Sequence, residues 1–233
     1  MRKHLHLGIR GKKAWLLALS LLCFCTTAVA QITYTSVQSG SWSNPLTWLP
    51  NGVPGTVEGD EAIISTGDIV TLDVSPPNTL ASVTVNSGGT LVYDNVAART
   101  LKARNVTVNS LGNSLGEITL QASAITTHQL LLEPLSTDPA NVATTFQNNG
   151  KVILVVGTAV CTTRFSRSTY GPQSLTGTGT FNLGPVIMEN SSTTPLPTVL
   201  NAPAETQATQ TIGQSGGSSI QMQSLEINNQ VGR

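Results

Sequence analysis

The sequence predicts an all-β protein: a right-handed parallel β-helix, or solenoid, with an N-terminal cap. Three observations predict it. From Gln31 onward the chain is rich in Thr, Ser, Asn, Gly and Val and poor in Lys and Glu. Stiff β-branched side chains pack well on a pleated surface, and Asn and Gly supply turns. Short apolar runs recur with turn residues between them: Ile63-Ile64, Ile69–Leu72, Val83–Val85, Val106–Val108, Leu130–Leu132, Val152–Val156 and Val186–Met188. That is the pattern of strands, and it argues against disorder and against amphipathic helices. Finally, a repeat is visible. Val-Thr-Val-Asn-Ser begins at Val83 and again at Val106, a step of 23 residues. The same step leads on to Leu130–Leu132 and then to Ile153–Val155, and "SLEINN" from Ser224 repeats the pattern. One short strand every 20–30 residues marks a solenoid, in which apolar side chains of successive coils stack inward. A β-sandwich, with strands every 8–12 residues joined by hairpins, is the alternative. Asn149-Gly150 does not sit between well-alternating strands as a hairpin would require.

The elements follow in chain order. Residues 1–30 read as a secretory signal peptide. Arg2, Lys3, Arg10, Lys12 and Lys13 form a basic region, Ala14–Cys25 is a short apolar run, and Ala28-Val29-Ala30 is a small-residue cleavage site. Cleavage is expected between Ala30 and Gln31. The apolar run is short for a bilayer span, which takes about 20 residues, and no later stretch is long enough for a helical one. The expected location is therefore secreted or at the outer cell surface, with no stable membrane span after cleavage.

Removing that segment changes the charge. Five of the twelve basic residues and none of the twelve acidic ones precede Gln31, which leaves seven against twelve, a net charge of −5. A nucleic-acid partner would want a basic stripe instead. Cys161 is the one cysteine after the signal segment, so no internal disulfide is expected there. Stability must then come from burial and backbone pairing.

The next region is residues 31–95, expected to form the cap and the first coils. It opens with "SGSWSNPLTWLPNGVPGTVEGDEAIISTGDIVTLD" from Ser39 to Asp73. Trp42-Ser43, Pro45, Thr47-Trp48, Val53-Pro54, Gly59-Asp60, Ile63-Ile64, Gly67 and Val70–Asp73 stand in a fixed order, followed by Leu80, Val83, Val85 and Gly88–Tyr93. This arrangement resembles the G-eight (eight-glycine) domain and related modules at the start of bacterial surface proteins. The resemblance is close from Ser39 to about Tyr93 and looser beyond. It implies parallel β-helix repeats after the module, often followed by a type nine secretion sorting domain. It also implies an extracellular setting, since such modules occur in proteins that bind or process polysaccharides.

Trp42 and Trp48 carry two expectations. An open solenoid end exposes unpaired strand groups and an apolar interior, so terminal repeats must cover it. Two indoles are large enough to do so, each burying roughly 150–250 Å². The competing role is a carbohydrate-stacking platform. Asp60, Asp68 and Asp73 lie within fourteen positions, but their spacing matches no EF-hand loop. A turn role is expected for Asp60 and Asp68, and calcium binding by the three is left open.

Residues 96–233 are expected to be incomplete β-helix repeats. Arg99, Lys102 and Arg104 form a basic cluster expected to face solvent. His128 is the one histidine after the signal segment and lacks the companions for catalytic zinc. Cys161 is expected to be buried. Ser191–Gln214, with its Pro, Thr and Ala, reads as loosely ordered. The closing "SLEINNQVGR" reads as a coil interrupted mid-course, hence a fragment.

No catalytic constellation, cofactor site or metal site emerges, so the chain is not expected to be an enzyme. The expected function is a non-catalytic secreted or cell-surface structural, adhesin-like protein, the N-terminal part of a longer one. The alternative is an extracellular carbohydrate-binding or polysaccharide-processing module, with glycans or cell-surface components as partners.

Overall fold

The computed structural model describes residues 30–125, 127–139, 142–168, 172–191, 210–214 and 220–230. The chain divides into Met1–Ala30 and Gln31–Arg233, and the architecture is that of the second unit. Residues 1–29, most of the expected signal segment, lie outside the described residues.

The protein is all-β. One short 3-10 turn, Pro45–Thr47, is the helical element among the described residues. Eighteen strands join in one large, curled, mixed sheet. Three pairings are antiparallel: Thr33–Ser36 with Trp48–Leu49, Ser110–Leu111 with Ser114–Leu115, and Val155–Val156 with Ala159 and Val160. The rest are parallel, and they sort into three ladders.

In the first ladder, Thr33–Ser36, Glu61–Ile64, Leu80–Val85, the later half of Thr100–Val108, Thr144–Asn148, Gln173–Gly177 and Gln210–Gln214 pair in succession. The second runs through Gly40–Ser41, Ile69–Leu72, Thr90–Tyr93, Glu117–Leu120, Lys151–Ile153, the start of Thr180–Ser191 and the start of Ile220–Gln230. The third joins the start of Thr100–Val108, His128–Leu132, Ala159–Ser168 and the later parts of Thr180–Ser191 and Ile220–Gln230.

Alternation fixes the faces. Successive side chains on a strand point to opposite sides. Val83, Val85, Val106 and Val108 are all fully buried, and Val83 pairs with Val106 in parallel register. Thr84 and Thr107, between them, lie on the other side and are half-buried. The expectation from the Val-Thr-Val repeat therefore holds for this pair of passes.

It fails beyond them. Val106 pairs with Phe146, 40 residues on, while Leu130 pairs with Leu101 of the third ladder. Ile153 faces outward, and Val152 and Leu154 are the buried residues there. The step lengthens because passes carry insertions between ladders, such as the two-stranded excursion Ser110–Leu115. Asn149-Gly150 joins strands of two different ladders rather than closing a hairpin. In the segment expected to be loosely ordered, residues 192–209 lie outside the described residues. Gln210–Gln214, however, is a strand paired with Gln173–Gly177.

One corner shows why the passes stack closely. Asp68, Gly89, Gly116 and Gly150 stand one per pass: Thr90, Glu117, Lys151 and Thr180 each donate a backbone hydrogen bond to the carbonyl of the corner residue one pass earlier. A Cβ on Gly89 would lie 2.6 Å from the Ser65 carbonyl oxygen, and one on Gly116 2.8 Å from that of Val85. Both are closer than real Cβ contacts come, and at Gly150 the obstacle is the Gly116 carbonyl itself. Only a residue without a side chain lets one backbone pass so near another.

Candidate functional site

The N-terminal segment buries both of its tryptophans. Trp42 and Trp48 are both fully buried and pack edge to face, with ring centroids 5.0 Å apart. Each indole nitrogen has a partner: Trp42 Nε1 donates to the Pro54 carbonyl at 3.1 Å, and Trp48 Nε1 to the Trp42 carbonyl at 2.9 Å. A buried indole needs such a partner, or its N–H is left stranded. Asn44 begins the 3-10 turn between the two tryptophans, its Oδ1 accepting from Leu46 N at 3.0 Å. With no face open, neither ring can stack on a sugar in this arrangement.

The three acids tie this segment to the passes beneath it. Asp60 is fully buried and accepts from the backbone N–H groups of Ile32, Gly55 and Val57 at 3.1–3.2 Å. Asp68 accepts from Ser36 Oγ at 2.6 Å. Asp73 accepts from both Ser43 N and Ser43 Oγ. Each carboxylate thus serves its own turn. Among the described residues, no group of three or more His, Cys, Asp or Glu side chains is placed to hold a metal ion.

The interior holds one cluster of chemically capable groups. His128 pairs in register with Cys161 on the next pass, and both are fully buried. Tyr93, also fully buried, packs edge to face with the imidazole at 5.5 Å. His128 Nδ1 accepts from the Arg99 backbone N–H at 3.1 Å, which places the ring proton on Nε2. Nε2 has no hydrogen-bond partner. Burial lowers the His128 pKa; the Asp94 charge opposes this and the Arg99 charge adds to it. Burial raises the Cys161 thiol pKa, against weaker opposing hydrogen bonds from Tyr93 and Leu130. Burial likewise raises the Tyr93 phenol well above its ordinary value, helped by Cys161.

This arrangement cannot run nucleophilic chemistry. A nucleophilic cysteine needs thiolate character and access, and Cys161 has neither. His128 has no free lone pair with which to take the thiol proton, because Nδ1 is engaged and Nε2 carries hydrogen. The three groups are core.

Two of the three residues of the basic cluster, Arg99 and Arg104, are tied into ion pairs rather than projecting freely. Arg99 forms a two-pronged ion pair with Asp94, at 2.9 and 2.6 Å, and Arg104 pairs with Asp138 at 2.8 Å. Burial alone would raise the Asp94 pKa. The hydrogen bond and charge of Arg99, with the Ala97 and Val96 backbones, outweigh that and hold it below the usual carboxylate range. Lys151 pairs with Glu117 and Arg164 with Glu189 in the same manner. These ties were not visible beforehand. Asp94 and Arg99 are only five positions apart, but the other three partners lie 25–34 residues apart and meet through the register of stacked passes.

The outward side of the first ladder was also missed in part. Its two ranks include Ser82, Asn105, Thr145 and Ser174 in one, and Thr84, Thr107, Gln147 and Thr176 in the other. The Val-Thr-Val repeat anticipates the outward pair Thr84 and Thr107, but nothing in the sequence brings Thr145, Gln147, Ser174 and Thr176 into line with them. Ala30 and Gln31, the expected cleavage pair, are both exposed where the described unit starts.

Fold and sites together define a class: an all-β protein whose strands pair mostly in parallel, with two buried tryptophans in its first strands and turns. The family model of the G8 domain matches residues 47–161, from the turn before Trp48 to Cys161. No curated protein and no solved structure matches the chain.

Proposed function

We propose that this chain is a right-handed parallel β-helix serving as a non-catalytic, adhesin-like scaffold, secreted or displayed at the cell surface. The observation that carries the reading is the parallel pairing of the three ladders, in register throughout the first two and interrupted in the third by one shift between Phe165 and Ser168, with one inward apolar column stacked on the next. Val83 on Val106 and Leu101 on Leu130 are examples. Sandwich sheets are antiparallel, whereas a solenoid adds one parallel strand per ladder with each pass. Among the described residues, the buried ionisable groups are hydrogen-bonded structural ties or core, which supports a scaffold over an enzyme. The signal-like segment and the G8 match support extracellular placement.

The test is expression of the full chain with its own first thirty residues in a secreting host. The expected product leaves the cell and begins at Gln31 by mass spectrometry. It releases no reducing ends from a panel of polysaccharides. An uncleaved intracellular product would sink the extracellular reading, and sugar release would sink the non-catalytic one.

A second reading, an extracellular carbohydrate-binding module, is favoured by one observation: the run of outward hydroxyls and amides on the first ladder from Leu80–Val85 to Gln173–Gly177. The tryptophans do not support it.

A further inference from the structure

We propose that the outward side of the first ladder docks on the surface of an insoluble, uncharged polysaccharide. The proposal rests on the carbohydrate-binding reading and names its surface and its ligand class. Six successive strands hold one register there, from Thr33–Ser36 to Gln173–Gly177, with no recorded shift. Adjacent strands lie about 4.8 Å apart, and alternate residues along a strand about 6.7 Å. The outward groups therefore form a two-rank grid, all hydroxyls and amides from Leu80–Val85 to Gln173–Gly177 and interrupted on the Glu61–Ile64 strand by Glu61 in one rank and Ile63 in the other.

Charge selects the ligand. Glu61 is the one ionisable residue in these two ranks, and its carboxylate is engaged by Thr33 Oγ1 at 2.8 Å. The outward sides of the other ladders differ, carrying Glu117 with Lys151 on one and Lys102 and Arg164 on the other. A polyanion such as a sulfated or uronic-acid chain finds no cation on the first-ladder face. The Glu61 carboxylate would repel such a chain further, whereas a neutral polymer meets only hydroxyls and amides over the strands from Leu80–Val85 to Gln173–Gly177.

Periodicity selects the physical form. A single hydroxyl-to-sugar hydrogen bond exchanged against water contributes little on its own. No aromatic residue stands in the two ranks to add stacking. Such a face binds usefully only when many contacts form at once, as in multivalent association. A rigid ligand that repeats its hydroxyls allows this, and an extended β-linked hexose chain advances per sugar by nearly one strand spacing. A flexible soluble oligosaccharide would lose more freedom on each contact than it gains.

The experiment is co-sedimentation of residues 31–233 with microcrystalline cellulose and with chitin particles. Native protein is expected in the pellet with at least one of them. Thr84→Val together with Thr107→Val removes two hydroxyls from one rank while keeping shape and strand propensity, and is expected to weaken retention at least fivefold. Thr84→Lys is the harsher companion, and Thr119→Lys, on the outward side of the second ladder, is expected to change nothing. Circular dichroism and the melting temperature confirm that each variant folds. Failure of the native protein to sediment with either solid overturns both the proposal and the carbohydrate reading beneath it. Retention unaffected by the double variant overturns the face alone. If sedimentation equilibrium shows the double variant dissolving a dimer, with particle binding unchanged, the face belongs to a second copy and the proposal is wrong.

Discussion

Three buried residues set the chemistry of the interior. Cys161 has no exposed surface and its thiol is held protonated by burial. A maleimide or disulfide reagent should leave it untouched in the native protein and label it fully in denaturant; rapid native labelling would contradict the packing. His128 gives a pH signature. Its pKa is lowered in the fold, so below about 6.5 the unfolded chain takes up the proton first. The stability of the neutral, buried form is present above that pH and falls as the pH drops toward the folded value. Urea midpoints should fall between pH 7.5 and 5.0. The fall should be smaller in His128→Asn, whose amide oxygen can still accept from Arg99 N. An equal fall in both proteins would assign the effect to other groups. Trp48→Ala should cost about 3–5 kcal/mol, in the range of large aromatic core truncations.

Each element is legible to a different depth. Strand alternation was readable because the Val-Thr-Val period of two states which side is buried, and Val83 and Val106 obey it. The burial of Trp42 and Trp48 was readable from their size in a chain poor in aromatics. The step of 23 was not a safe guide beyond Val106. A pass can lengthen between ladders without disturbing the strands that stack, so Leu130 and Phe146 each answer to a different predecessor. The glycine corner was invisible because Gly89, Gly116 and Gly150 are unevenly spaced in sequence and meet only through register. Their substitution should nonetheless be among the costlier changes in the chain. Gly150→Ala would drive a methyl into the Gly116 carbonyl and should destabilise by about 3 kcal/mol, the upper range for overpacking. Thr119→Ala, on a neighbouring outward position, should stay within about 0.5 kcal/mol. Equal melting temperatures for the two would mean that the corner can relax.

At the scale of the whole molecule, the parallel ladders make each pass depend mainly on the passes beside it. On the solenoid reading proposed above, stability is a sum of local terms and nearest-neighbour interfaces, so opening begins where an interface is weakened and need not be global. The N-terminal end is where this can be tested. Residues 31–50 are held by ties to the passes below: Asp60 to Ile32, Glu61 to Thr33, Asp68 to Ser36 and Asp73 to Ser43. Asp60 bears most, since its buried carboxylate satisfies three backbone donors that would otherwise be stranded. Each stranded donor costs about 1–3 kcal/mol. Asp60→Ala should therefore release the N-terminal segment and bring solvent to Trp42 and Trp48. In hydrogen exchange, residues 31–64 should lose protection by orders of magnitude. Thr144–Asn148 and His128–Leu132, several passes away, should exchange at nearly the native rate. A globule with one cooperative core behaves otherwise, losing protection everywhere by the same factor as its global stability falls. Uniform loss across the chain in Asp60→Ala would therefore contradict the nearest-neighbour description of this fold.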